Sequence, residues 1–266
     1  MIETGNEGRD AGQGQPYVAP LGRVVRANVH GKVVMFLVTQ MRDRIQRRHH
    51  MQGEFYEPEE LEIIKRYFPF GGTFLDVGAN VGNHSIFAAK FLHAARVIPL
   101  EVNPVAYQTL IANVMLNGLD DVVDLSRLGI GVSDTASETA SITYGDHNIG
   151  AGRVSAEGGE LRLLPGDEIV GDTPVDFIKI DVEGMEMTVL AGLHGTIVRN
   201  RPRMFIEVDN ENQQAFLAWV ERNGFKIADR YQRYKANENF MLVPMRPARW
   251  ARIHDTEGAA ATEAAE

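Results

Sequence analysis

The stretch Gly72–Phe87, GTFLDVGANVGNHSIF, constrains this chain more than any other. An apolar run closes on an acid, Asp76; a turn follows with Gly78 and Gly82, and a helix is expected to open at Asn83. That order reads as strand, ligand-cradling loop and helix. Glycine lets backbone come close to a neighbour, and the first amides of a helix have no partner inside it. The spacing departs from the dinucleotide fingerprint, because Asn80 and Asn83 stand where the second and third glycines would be. An acid at the strand end disfavours a pyrophosphate. It suits a cationic ligand with hydroxyls, and S-adenosylmethionine has an ammonium, a sulfonium and a ribose.

The flanking pattern alternates strands and helices. A hairpin is expected around His30-Gly31, a helix over Glu59–Phe68, then strands at Thr73–Val77, Arg96–Leu100, Asp121–Val132, Val175–Ile180 and Arg203–Val208. Helices are expected over Asn83–Leu92, Pro104–Leu116, Met185 toward Val198 and Gln213–Asn223, with a terminal antiparallel pair at Lys226–Asp229 and Phe240–Val243. Such alternation predicts an α/β fold, a doubly wound and mostly parallel sheet. Residues 1–20 read as a disordered tail, 21–70 as a hairpin-and-helix extension, 71–245 as the main domain and 246–266 as a second tail. Between Thr135 and Gly171 a glycine-rich insertion with two short strands is expected beside the site, tipped by His147 and Asn148.

The formal charge of -9 argues against nucleic acid as the main partner. Cysteine is absent, which excludes a disulfide frame and a thiol nucleophile. Without a membrane-length apolar run or secretory pattern, a soluble cytoplasmic protein is expected. One local exception to the acidic balance is Arg42–His50, with four arginines and two histidines, a pattern suited to phosphate or an acidic glycan or to a solvated face.

Glu101, at the end of the second strand, lies near the spacing at which nucleotide folds place a ribose-binding acid. Ser133 and Asp134 are placed to hold an adenine edge. Lys179 falls inside the most apolar strand, where a buried ammonium needs a partner. Asp181, Glu183 and Glu207 are expected beside it at the same sheet edge. Asp181 and Glu207 are candidate bases for a hydroxyl acceptor, with Lys179 orienting them and His84 as a further neutral base. Asp181, Glu183, Glu207 and Asp209 are also residue types that ligate Mg²⁺ or Ca²⁺. No metal is assigned, since Lys179 already supplies positive charge there.

Three motifs together, DVGANVGNHS at Asp76–Ser85, EVNP at Glu101–Pro104 and FIKIDVEGMEMTVLAG at Phe177–Gly192, resemble the FkbM-type methyltransferases. The hairpin and Phe55-Tyr56-Glu57 resemble that family's lead-in. The resemblance implies a class I Rossmann-like fold, seven strands with one antiparallel, using S-adenosylmethionine to methylate a hydroxyl of a sugar, glycan or natural product. By position, Asp76, Gly78, Asn80, Gly82, Asn83 and Glu101 would hold the cofactor, and Asp181 and Glu183 would flank the methyl group. PGDE at Pro165–Glu168 stands where that family more often has a Leu-Asp pair. A nucleotide-binding oxidoreductase using NAD, and a non-catalytic cofactor-binding module, are the alternatives on the same sheet.

Overall fold

A computed structural model describes residues 21–145, 148–155 and 158–245. Both expected tails and His147 lie outside the described residues.

The chain opens with a hairpin, β1 (Arg23–Val29) and β2 (Lys32–Val38), turned at His30-Gly31. Helix α1 (Arg44–Arg48), a 3-10 turn at His50–Gln52 and α2 (Pro58–Tyr67) lead to the glycine loop. There β3 (Thr73–Val77), α3 (Asn83–Phe91), β4 (Arg96–Leu100) and α4 (Pro104–Leu116) form the first parallel step. Four strands follow, β5 (Ile130–Ser133), β6 (Ser137–Gly145), β7 (Asn148–Ser155) and β8 (Leu161–Pro165). The chain continues through α5 (Gly166–Val170), β9 (Phe177–Ile180), α6 (Glu186–Gly192), α7 (His194–Asn200) and β10 (Arg203–Asp209). It closes with α8 (Gln213–Arg222), β11 (Phe225–Tyr231) and β12 (Asn237–Pro244).

The central sheet has the order β11-β12-β10-β9-β3-β4. Strands β4, β3, β9 and β10 are parallel, and β12 runs against both β10 and β11. Among the described residues the central sheet therefore has six strands where seven were expected. The seventh place, beside β4, is reduced to one parallel bridge between Val97 and Val123. The reason is local: after Val123 the chain turns through a 3-10 segment, Leu125–Arg127, and a left-handed Gly129 (φ 85°) before β5 begins. Strand β5 then joins a second sheet, β5-β8-β6-β7.

Alternate side chains of the sheet feed two cores, so the strands are apolar on both faces. Leu75, Val77, Ile178, Ile180, Ile206 and Val208 pack on one side with Leu190, Leu193 and Phe216. Phe74, Phe177 and Phe205 pack on the other with Ile64, Phe87 and Leu110. The N-terminal hairpin belongs to this second core through Val34 and Phe36. Helix α4 anchors it: Leu37 donates its amide to Asn113 Oδ1 at 2.6 Å and Met35 to Asn117 Oδ1 at 3.0 Å. Among the described residues no helix is long and apolar enough to cross a membrane.

Candidate active site

The parallel strands end together, and the loops after β3, β4, β9 and β10 meet there. Leu100 O accepts the Gly78 and Ala79 amides at 2.9 and 3.1 Å, which folds the glycine loop over the end of β4. Glu101 then completes the turn. Its Oε2 accepts the Asn80 amide and its Oε1 the Asn103 amide, both at 2.8 Å. Burial pushes the Glu101 carboxyl up, and these two amides oppose that shift.

A cavity of about 370 Å³ opens at this edge, a size typical of small-molecule sites. Gly78, Asn80 and Glu101 form one wall; Asp181, Glu183 and Glu207 form another. A third side comes from the extension, with Arg44, Ile45, Tyr56 and Glu57, and a fourth from Tyr234, Ala236 and Asn237 around the turn before β12. The last two sides touch, since the Tyr56 and Tyr234 hydroxyls lie 2.8 Å apart. Arg233 fastens the turn to α2, donating from Nη2 to Glu60 Oε2 at 2.6 Å and also pairing with Glu59. Three non-glycine residues with left-handed backbone line this cavity, Glu57 (φ 58°), Asn80 (φ 50°) and Glu183 (φ 47°). Such strain concentrates at functional sites.

Beneath the cavity lies Lys179, 3% exposed. Its Nζ donates to Gly78 O and Asp181 Oδ2, each at 3.2 Å, and stands 3.7 Å from Asp76 Oδ1. Burial by itself pushes the ammonium down, but Asp181, Asp76 and Glu57 outweigh it and hold Lys179 up. Asp76 sits opposite Lys179 in the β3–β9 register and is fully buried, its Oδ2 accepting from Ser85 Oγ at 2.6 Å. It reaches the cavity through Lys179.

His84 is buried in the first turn of α3, and its Nε2 lies 3.6 Å from Glu57 Oε2. Burial first, then Lys179, lowers its basicity, so the imidazole is neutral, and it is not among the residues lining the cavity. Glu57 is pushed up to about 8 by burial, then by Asp181 and Glu60, with Lys179 and Arg233 opposing. Glu207 is also raised, by burial and then by Asp181 and Glu57, while its Oε1 accepts from Asn237 Nδ2 at 2.7 Å.

A pH dependence follows. A carboxyl raised on folding keeps its proton in the native state after the unfolded chain has released its own. The native state then binds more protons, and stability falls as pH rises. For Glu57 the window runs from the ordinary glutamate range to about 8. Urea denaturation is expected to show declining stability across that window, and Glu57→Gln should flatten the slope. An unchanged slope would remove Glu57 from the effect.

Sequence reasoning placed Gly78, Asn80, Glu101, Asp181, Glu183 and Glu207 in one site, and all six line the cavity. Asn83 is engaged elsewhere: its Oδ1 accepts the Tyr56 amide at 2.9 Å and its Nδ2 donates to Tyr56 O at 3.0 Å. Gly82 packs beneath the loop, where an added Cβ would stand 3.0 Å from Leu110 Cγ. Ser133 closes β5 and Asp134 follows it, and neither is among the residues lining this cavity. Lys179 pairs with Asp181 and Asp76 rather than directly with Glu207. Among the cavity residues unmarked by sequence spacing are Glu57, Tyr234 and Asn237. Only the likeness of Phe55-Tyr56-Glu57 to a family lead-in pointed toward the first.

A parallel sheet of this order, a glycine loop folded over the next strand and an acid closing that strand form the frame of a class I methyltransferase, which uses S-adenosylmethionine. The match to a methyltransferase family is what separates the chain from a dinucleotide enzyme on a similar sheet. The chain belongs to the FkbM methyltransferase family, whose domain model matches residues 76–227. It is 29% identical over 173 residues to the hexuronic acid methyltransferase AglP of Haloferax volcanii, covering 63% of this chain and 67% of that protein. It is 28% identical over 172 residues to the methyltransferase sdnD of Sordaria araneosa, covering 50% of this chain and 65% of sdnD, just under two thirds. The FkbM methyltransferase structure from Methylobacillus flagellatus superposes with a TM-score of 0.45 at 20% identity, over 64% of this chain and 43% of that one.

Proposed function

We propose that this methyltransferase acts on a hydroxyl of a sugar, glycan or natural-product acceptor. The observation that carries the reading is the ring of carboxylates, Glu57, Asp181, Glu183 and Glu207, around one cavity that also contains Glu101.

The residues fit the cofactor. Each Glu101 oxygen accepts one backbone amide and keeps lone pairs for the two ribose hydroxyls. Asn80, held left-handed, and Gly78 present the loop backbone to the same space. The acidic surroundings favour a ligand carrying an ammonium. S-adenosylmethionine supplies the methyl group on a sulfonium, so the carbon is already activated.

What remains for the protein is positioning and one proton. Asp181, 30% exposed and held by the Lys179 ammonium at 3.2 Å, is the carboxylate to accept the acceptor's hydroxyl proton at Oδ1 or Oδ2. Glu57 and Glu207 retain protons toward neutral pH and donate hydrogen bonds to acceptor oxygens. Glu183 borders the same space. His84 lies behind Glu57, with its Nε2 3.6 Å from Oε2.

Calorimetric titration with S-adenosylhomocysteine tests the cofactor half. Glu101→Ala is expected to weaken binding by ~1.5–3 kcal/mol, about 10- to 150-fold. Glu101→Gln, which keeps one acceptor oxygen, should lose less. Unchanged affinity in both would remove Glu101 from the ribose site. Methyl-label transfer to a panel of sugars, uronates and hydroxylated natural products tests the other half. Transfer only to amines would overturn the hydroxyl assignment.

A further inference from the structure

Helix α1 carries a concentration of charge that the methyl-transfer chemistry leaves unused. Arg44, Arg47 and Arg48 stand at i, i+3 and i+4, so they share one face of the helix, and all three are exposed. Like charges at this spacing repel, and Arg44 occupies the first turn, where a cation is disfavoured. Among the described residues none of the three has a carboxylate within ion-pair distance, in a chain whose net charge is -9. The helix is nonetheless firmly seated. Asp43, 2% exposed, accepts the Gln46 amide at 2.8 Å, and buried Gln46 accepts the Thr39 amide at 2.8 Å. Arg44 and its neighbour Ile45 line the cavity.

We propose that Arg44, Arg47 and Arg48 form an anion-binding strip that runs along α1 from Arg44 in the cavity wall, which takes a diphosphate group carried by the acceptor while the carboxylate interior takes its hydroxyl. The proposal rests on the methyl-transfer reading and names its substrate class. A single carboxylate would leave two guanidinium groups without counter-charge. A diphosphate matches the strip better, and its oxygens accept the paired N–H groups of arginine. The diphosphate can come from a nucleotide sugar or from a lipid-linked sugar.

The test is calorimetry on the full chain, with and without S-adenosylhomocysteine, using inorganic pyrophosphate as the probe and uridine diphosphate and geranyl diphosphate in parallel arms. Pyrophosphate is expected to bind and to weaken with added salt. The triple variant R44Q/R47Q/R48Q should lose at least about tenfold in pyrophosphate affinity while S-adenosylhomocysteine affinity is unchanged. Arg162→Gln, on the peripheral sheet, should bind as the parent does. Tighter binding of uridine diphosphate assigns the nucleotide source, and tighter binding of geranyl diphosphate the lipid source. No pyrophosphate binding at low salt, or equal binding by the triple variant, overturns the proposal. A parallel loss of S-adenosylhomocysteine affinity would give the strip to the cofactor's own carboxylate and also overturn it. So would preferential binding of single-stranded RNA with affinity growing with length. If pyrophosphate behaves as expected but the parent does not bind S-adenosylhomocysteine, the strip stands and the methyl-transfer reading fails.

Discussion

Lys179→Met is expected to lower the unfolding free energy by ~3–5 kcal/mol, the cost of stranding a buried charge. Methionine keeps most of the apolar stem, so the loss reports the ammonium. Without it, Asp76 is a fully buried carboxylate with Ser85 Oγ as its remaining side-chain donor, and Asp181 loses its neighbour at 3.2 Å. For a domain of this size the thermal midpoint should fall on the order of ten degrees. Adding Asp76→Asn to Lys179→Met should recover part of the loss, because the stranded charge disappears with it. A loss below about 1 kcal/mol, the range of exposed pairs, would mean that water reaches Lys179.

Gly78→Ala is expected to disrupt both the fold and cofactor binding. At φ 79° an alanine is strained by roughly 1–2 kcal/mol. The larger cost is steric: its Cβ would stand 1.9 Å from Asp181 O. The Cβ position is set by its own backbone and Asp181 O is backbone held by the Asp181 amide's 3.1 Å bond to Val77 O, so no rotamer change relieves the contact. The loops after β3 and β9 must separate, and the cavity opens at its floor. Gly118→Ala provides the comparison, with φ 60° and nothing within 4 Å of the added Cβ. Gly118→Ala should show the conformational cost alone and bind S-adenosylhomocysteine normally. Equal losses in urea denaturation would show that the Asp181 contact is not what requires Gly78.

This glycine shows how far a sequence can be read. The strand-loop-helix unit around it was readable because an apolar run, two glycines and a helix start are neighbours in the chain. The reason for Gly78 was not, because its closest approach is to a residue on another strand. The same limit explains α6 and α7, expected as one helix from Met185 toward Val198. Asp167 accepts the Gly195 and Thr196 amides, each at 2.7 Å, and starts a second helix from a position far upstream. That contact also gives PGDE a purpose, seating α7 away from the cavity. The six carboxylate and loop positions found from sequence all lie at or just after the ends of strands that coincide. Glu57 and Tyr234 come from segments brought together across 178 residues, as the Tyr56–Tyr234 contact measures. No local spacing encodes that.

The left-handed backbones of Glu57, Asn80 and Glu183 have a practical consequence for anyone improving this enzyme. Glycine at such a position relieves strain, so a screen for heat tolerance will select replacements there. Each replacement would also erase a carboxylate or a loop contact from the cavity wall. Heat-tolerant variants with changes at these positions should therefore turn over more slowly, whereas relief at His30, His93 or Arg201, left-handed but not lining the cavity, should leave turnover intact.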